Sequence, residues 1–111
     1  MARILICESH DAVRALLERA VSRLGHEPVA FRVPGPEDLR DADAFIVEPA
    51  APIGATMAQA ASVIDPSLPL ICVSVAAPPP ELEALGVAFA ASLLKPFTPE
   101  QLAGAIERAL R

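Results

Sequence analysis

Short, continuous apolar runs alternate with helix-patterned segments along this chain, and that alternation constrains the fold more than any other feature. Ile4-Leu5-Ile6-Cys7, Ala44-Phe45-Ile46-Val47 and Leu70-Ile71-Cys72-Val73 have no polar residue in them. Runs of that length and character are strands buried on both faces, as in parallel sheets. Each ends on a polar residue: Glu8-Ser9, Glu48 and Ser74. A shorter run, Leu93-Leu94, ends on Lys95-Pro96. In an open parallel sheet the carboxyl ends of the strands line one crevice, where ligands and chemistry sit. Glu8, Ser9, Glu48, Ser74 and Lys95 are therefore expected at one small site.

The segments between the runs read as helices. Over residues 11–24, Val13, Leu16, Leu17, Ala20, Val21 and Leu24 form a 3.6-period stripe, with Ser9 or Asp11 as cap and Gly25 as stop. Residues 28–33 predict a short second strand, Pro34-Gly35-Pro36 a turn, and residues 37–40 at most one helical turn. Pro49 and Pro52 are expected to hold the next loop extended before a helix over 56–64. A helix near 81–85 ends at Gly86, and the fifth strand lies within 87–94. Thr98-Pro99-Glu100-Gln101 opens the last helix, with Thr as cap, Pro at the first helical position and Gln three residues after the cap. Leu102, Ile106, Ala109 and Leu110 give its buried stripe. Five strand–helix alternations predict an α/β fold, a doubly wound five-stranded parallel sheet with helices on both faces.

At 111 residues the chain fits one domain. A net charge of -5, with four Phe and neither Trp nor Tyr, argues against a nucleic-acid surface. No apolar run approaches the ~20 residues of a membrane helix, and none makes a signal-peptide core. A cytoplasmic location is expected. Cys7 and Cys72 sit inside apolar runs as small hydrophobes, and metal-type Cys/His spacing is absent. His10 and His26 read as surface residues. Ser9-His10-Asp11 has the letters of a catalytic triad, but three adjacent residues cannot take that geometry. No glycine-rich loop follows the first strand, which disfavours dinucleotide binding.

Taken in order, these features resemble a response-regulator receiver domain of the chemotaxis-regulator type, over essentially the whole length. Glu8 and Ser9 stand where receivers carry an acidic pair. Asp43-Ala44-Phe45-Ile46-Val47 leads to Glu48, at the position of the phosphoacceptor Asp, with Pro52 four residues on. Pro69-Leu70-Ile71-Cys72-Val73 leads to Ser74, at the Ser/Thr switch position. Lys95-Pro96-Phe97 matches the Lys-Pro-Phe signature, and Ser92 stands where receivers have a switch aromatic. The resemblance implies a flavodoxin-like sheet of order 2-1-3-4-5 and a role in two-component signalling, as part of a phosphorelay.

The departures from the family pattern carry as much information. Glu48 is one methylene longer than Asp, so its carboxylate stands about 1.5 Å further into the crevice. Ser9 is a neutral ligand where hard Mg²⁺ favours carboxylate oxygen, so weak metal binding is expected, with Glu8 and Glu48 as the remaining candidate ligands. Losing acceptor and ligand together removes most of the positioning that phosphoryl transfer needs. The expected function is a pseudo-receiver: a protein-interaction module independent of phosphorylation, not an enzyme, with no cofactor. The resemblance implies a protein partner on the surface between Glu81 and Arg111, with a homodimer as one form, and neither nucleic acid nor membrane. Two alternatives stay open: a still-switchable receiver binding a divalent cation, and a flavodoxin-like domain binding a small ligand.

Overall fold

The computed structural model describes residues 1–31, 35–50 and 53–111 and the backbone of Pro52. Its elements are β1 (Arg3–Cys7), α1 (Asp11–Arg23), β2 (Glu27–Ala30), α2 (Pro36–Arg40), β3 (Ala44–Val47), α3 (Pro52–Ile64), β4 (Leu70–Ser74), α4 (Pro80–Ala84), β5 (Phe89–Leu94) and α5 (Pro99–Leu110). The five strands form one parallel sheet of order β2-β1-β3-β4-β5, as expected.

Because side chains alternate across a strand, each apolar run feeds two cores at once. Ile4 and Ile6 of β1, Ile46 of β3 and Ile71 and Val73 of β4 pack under α1 and α5, against Leu17, Val21, Leu102 and Ile106. Leu5, Phe45, Val47 and Leu70 point the other way, toward Leu39 of α2, Ala58 and Ala61 of α3 and Leu82 of α4. Phe45 is fully buried. Truncating a side chain of that size to Ala in a closed core costs about 3–5 kcal/mol.

Local chemistry sets the element ends. Thr98 Oγ1 accepts the Gln101 N–H at 3.1 Å while Gln101 Oε1 accepts the Thr98 N–H at 2.8 Å, a complete reciprocal cap. Gly25, with φ of 85°, turns the chain after α1 in the left-handed region that glycine tolerates.

Several boundaries differ from expectation. The helical start at residue 11 holds, but its cap is His10, whose Nδ1 accepts the Val13 N–H at 3.5 Å, and not Ser9 or Asp11. Leu16 and Leu24 are 46% and 41% exposed, so the buried stripe of α1 narrows to Leu17 and Val21. α3 begins at Pro52, four residues early: a proline at the first helical position gives up only an N–H that has no helical partner anyway. α4 runs from Pro80 to Ala84, one residue earlier at each end. β2 ends at Ala30; the expected continuation through Arg32 and Val33, and Pro34 of the expected turn, lie outside the described residues. Gly35 and Pro36, expected in that turn, instead start α2, where the Asp38 carboxylate accepts the Gly35 N–H at 2.8 Å. In β5 the register shifts between Phe89 and Ala91, so Ala90 is an extra residue on that strand.

Candidate functional site

The sheet's carboxyl edge brings three of the five expected residues into one ion cluster. Glu8, Glu48 and Ser74 are the buried polar or charged residues among those described. Lys95 Nζ lies 2.5 Å from Glu8 Oε1 and 3.1 Å from Glu48 Oε2. Lys95 follows β5, Glu48 follows β3 and Glu8 follows β1, so one ammonium ties together the ends of three strands. Neighbouring strands are about 4.8 Å apart, and β5 lies two places from β3 and three from β1, so only long side chains on both sides close the span.

Backbone bonds fix where each group starts. The Glu48 N–H donates to the Cys7 carbonyl at 3.2 Å, carrying the β1–β3 ladder to the site. The Lys95 N–H donates to the Ser74 carbonyl at 2.8 Å and does the same for β4 and β5. The second oxygen of each carboxylate is also used. Glu8 Oε2 accepts the His10 N–H at 3.2 Å, and Glu48 Oε1 accepts the Ala50 N–H at 3.0 Å. Arg14 Nη1 donates to the Glu8 carbonyl at 3.3 Å and steadies the loop after β1. Buried charges persist when paired and hydrogen-bonded in this way.

Burial alone pulls the Lys95 ammonium down, but its hydrogen bonds to Glu8 and Glu48, and their charges, outweigh burial and hold it above its ordinary value. Burial pushes the Cys72 thiol up to about 11; the Glu48 charge adds to the rise and Lys95 opposes it. Cys7 is raised by burial and by the Glu8 charge. Both cysteines are buried, as the apolar runs predict.

The other two strand-end residues play different parts. Ser74 is 1% exposed, and its Oγ accepts the Ala76 N–H at 3.5 Å. Ser9 is exposed and stands outside the ion cluster. Ser92, at the position of the switch aromatic, is exposed on β5 and borders a groove beside Pro80 and Leu82 of α4. His10 is exposed and His26 half-buried, its Nδ1 accepting the Ala2 N–H at 3.0 Å.

Sequence reasoning missed Gly54. A Cβ there would lie 1.7 Å from the Glu48 carbonyl oxygen and 2.7 Å from its carbonyl carbon. The first turn of α3 therefore presses directly on the backbone of the residue at the end of β3. The signal was a glycine near a helix start, which is uninformative without the helix boundary. No group of three His, Cys, Asp or Glu side chains is arranged to hold a metal among the described residues, and no helix among them is long and apolar enough to cross a membrane.

This sheet order and layering are those of the flavodoxin-like receiver fold, and solved structures agree. Chemotaxis protein CheY4 of Vibrio cholerae matches at TM-score 0.81 and 23% identity, over 99% of either chain. The receiver domain of sensor histidine kinase PA1611 from Pseudomonas aeruginosa, solved with a magnesium ion in its active-site cleft, matches at 0.79 and 19%, over 98% of this chain and 97% of that one. NtrX from Brucella abortus matches at 0.80 and 21% identity over 98% of this chain, which spans only 26% of NtrX. No protein-family model and no curated protein matches the sequence. At these identities the likeness establishes the fold.

Proposed function

We propose that this chain is a receiver-like signalling domain of two-component type that works as a protein-interaction module without phosphorylation. Glu48 stands in the place of the phosphoacceptor Asp, Glu8 and Ser9 in the place of the acidic pair, and Ser74 and Lys95 in the places of the switch hydroxyl and the lysine. The observation that carries this reading is the state of Glu48: one oxygen accepts the Ala50 N–H and the other pairs with Lys95. Both oxygens of the candidate acceptor are committed to the protein. A phosphoryl donor would have to displace Lys95 from Glu48 and Glu8 together.

Mg²⁺, which such a transfer requires in the family, does not fit the residues present. Octahedral Mg²⁺ wants carboxylate oxygens that it can approach closely. Here the two carboxylates that face one another share a lysine, and Ser9 offers a neutral oxygen. The lysine supplies the positive charge that a metal would bring, which supports a site held permanently in one charge state. In this reading the domain is cytoplasmic and turns over no substrate. Its partner is a protein, or a second copy, meeting the surface between Glu81 and Arg111, where Leu85 and Leu94 are 57% and 60% exposed. Incubation with acetyl phosphate and Mg²⁺, followed by intact-mass measurement, tests the reading. No phosphoryl increment is expected; a stable adduct mapped to Glu48 would overturn it.

A further inference from the structure

Beside the ion cluster, toward the β2 edge of the sheet, lies a second feature that shares Glu8 and Glu48 with it. A cavity of about 690 Å³ opens between the carboxyl ends of β1, β2 and β3. That volume is within the range of small-molecule sites. One side is apolar: Ala30 and Phe31 from the end of β2, and Ile53 and Gly54 from the first turn of α3. Phe31 is half-buried, and Ile53 remains 54% exposed although it borders a concavity.

The other side is charged and unbalanced. Among the described residues, Glu8, Glu48 and Asp11 line it, with Arg14 as the cation. Arg14 is already spent: Nη2 pairs with Asp11 at 2.7 Å, Nη1 donates to the Glu8 carbonyl, and Nε lies 3.9 Å from Glu18. Lys95 is shared between Glu8 and Glu48. Among the described residues, the three lining carboxylates against Arg14 and the neighbouring Lys95 leave one net negative charge and no unpaired cation for an anion. Phosphate-bearing ligands, nucleotides included, are therefore disfavoured by the same groups that define the crevice. An organic cation gains on both sides. Its charge meets the carboxylate excess at short range, where the effective dielectric is below that of water. Its apolar body covers Ile53 and the Phe31 ring, and a ring face also attracts cations.

We propose that this cavity binds a small organic amine: a cationic head directed to the Glu8–Glu48–Asp11 side and an apolar body seated between Phe31 and Ile53. The proposal rests on the reading that Glu48 stays an unmodified carboxylate; an acetyl phosphate adduct at Glu48 would overturn that reading, whereas absent amine shifts without an adduct would overturn the site alone. The test is a two-dimensional amide NMR titration of the whole chain with phenethylamine, matched by 3-phenylpropionate, which reverses the charge on a similar body. Saturable shifts are expected with the amine at the Ser9, Phe31 and Gly54 amides, with half-saturation near about 1 mM, the range a ligand of that size reaches. The carboxylate is expected to leave those amides unmoved. Ile53→Ala, at an exposed position whose loss the fold tolerates, should weaken the amine about tenfold, while the rest of its spectrum overlays the parent. Equal response to the two probes, absence of saturable shifts with the amine, or unchanged affinity in Ile53→Ala would each overturn the proposal.

Discussion

Replacing Lys95 with Met removes the cation at the centre of the site while keeping an unbranched apolar stem. Two carboxylates are then left facing one another, with side chains 2% exposed for Glu8 and 10% for Glu48. Both had contacted one nitrogen, so the charged oxygens lie within about 6 Å; at an effective dielectric of about 20 their repulsion is ~3 kcal/mol. Breaking a buried ion pair from one side generally costs about 3–5 kcal/mol. Lys95 itself keeps 19% exposure, which places the expected loss at the lower end, about 3 kcal/mol. For a domain of this size that lowers the melting temperature by roughly 10–15 °C. Urea denaturation followed by circular dichroism at pH 7 measures it, with the slope against urea unchanged.

A second substitution separates electrostatics from packing. Lys95→Met combined with Glu48→Gln leaves a single carboxylate and should recover about 2 kcal/mol. In the wild-type, the pH dependence of this cluster follows its lysine. Lys95 is held above its ordinary value in the folded state, so its contribution is fully present at neutral pH and is lost only as pH rises through that raised value. A single-variant loss under about 1 kcal/mol, typical of an exposed pair, or no recovery in the double variant, would refute the reasoning.

Other consequences are equally direct. Gly54→Ala drives a Cβ into the Glu48 carbonyl, a backbone group that cannot rotate away, and should cost about 2–3 kcal/mol in the same urea assay while shifting the Glu48 amide in NMR spectra. Thr98→Ala removes one arm of the reciprocal cap of α5 and should cost about 1 kcal/mol with the fold intact. Cys72, raised to about 11 by burial and Glu48, stays a neutral thiol in the folded protein at pH 8. It should resist alkylation until the chain unfolds, and stability should fall between pH 9 and 11, as the unfolded thiol ionises first.

The parts of the fold that are legible in the sequence are those where one physical demand dominates. β1, β3 and β4 are buried on both faces, so nothing polar interrupts them and their limits are plain. α5 begins at a cap whose two arms are local to Thr98 and Gln101. The edges are harder to read. β2 carries Pro28 on an open edge, and β5 absorbs the extra Ala90, so neither shows a clean period. Pro52 reads as a loop former from sequence, yet Pro suits a first helical position as well as a loop, and the neighbouring residues decide between them. His10 caps α1 in place of Ser9 because an imidazole nitrogen can accept the same N–H that a hydroxyl would.

Much of the site was legible for the same reason that the strands were. Glu8, Glu48, Ser74 and Lys95 are polar residues directly after apolar runs, and parallel strands bring such positions to one edge. A salt bridge from Lys95 to Glu48 or Glu8 follows from their shared place at the strand ends; that one lysine holds both carboxylates at once was not legible. It depends on Lys95 crossing from the end of β5 to those of β3 and β1, which is a matter of strand order and side-chain reach. Gly54 and the cavity beside Phe31 and Ile53 were hidden as well, since both arise from how the first turn of α3 seats against the sheet.

The central claim is that Lys95 holds Glu48 and Glu8 in one ion cluster that a phosphoryl group would have to break. Beryllofluoride with Mg²⁺, a mimic of a phosphorylated carboxylate, addresses that claim in a single amide NMR titration. The spectrum is predicted to stay unchanged at Glu48, Ser74 and Lys95. Saturable shifts at those three amides would contradict the account.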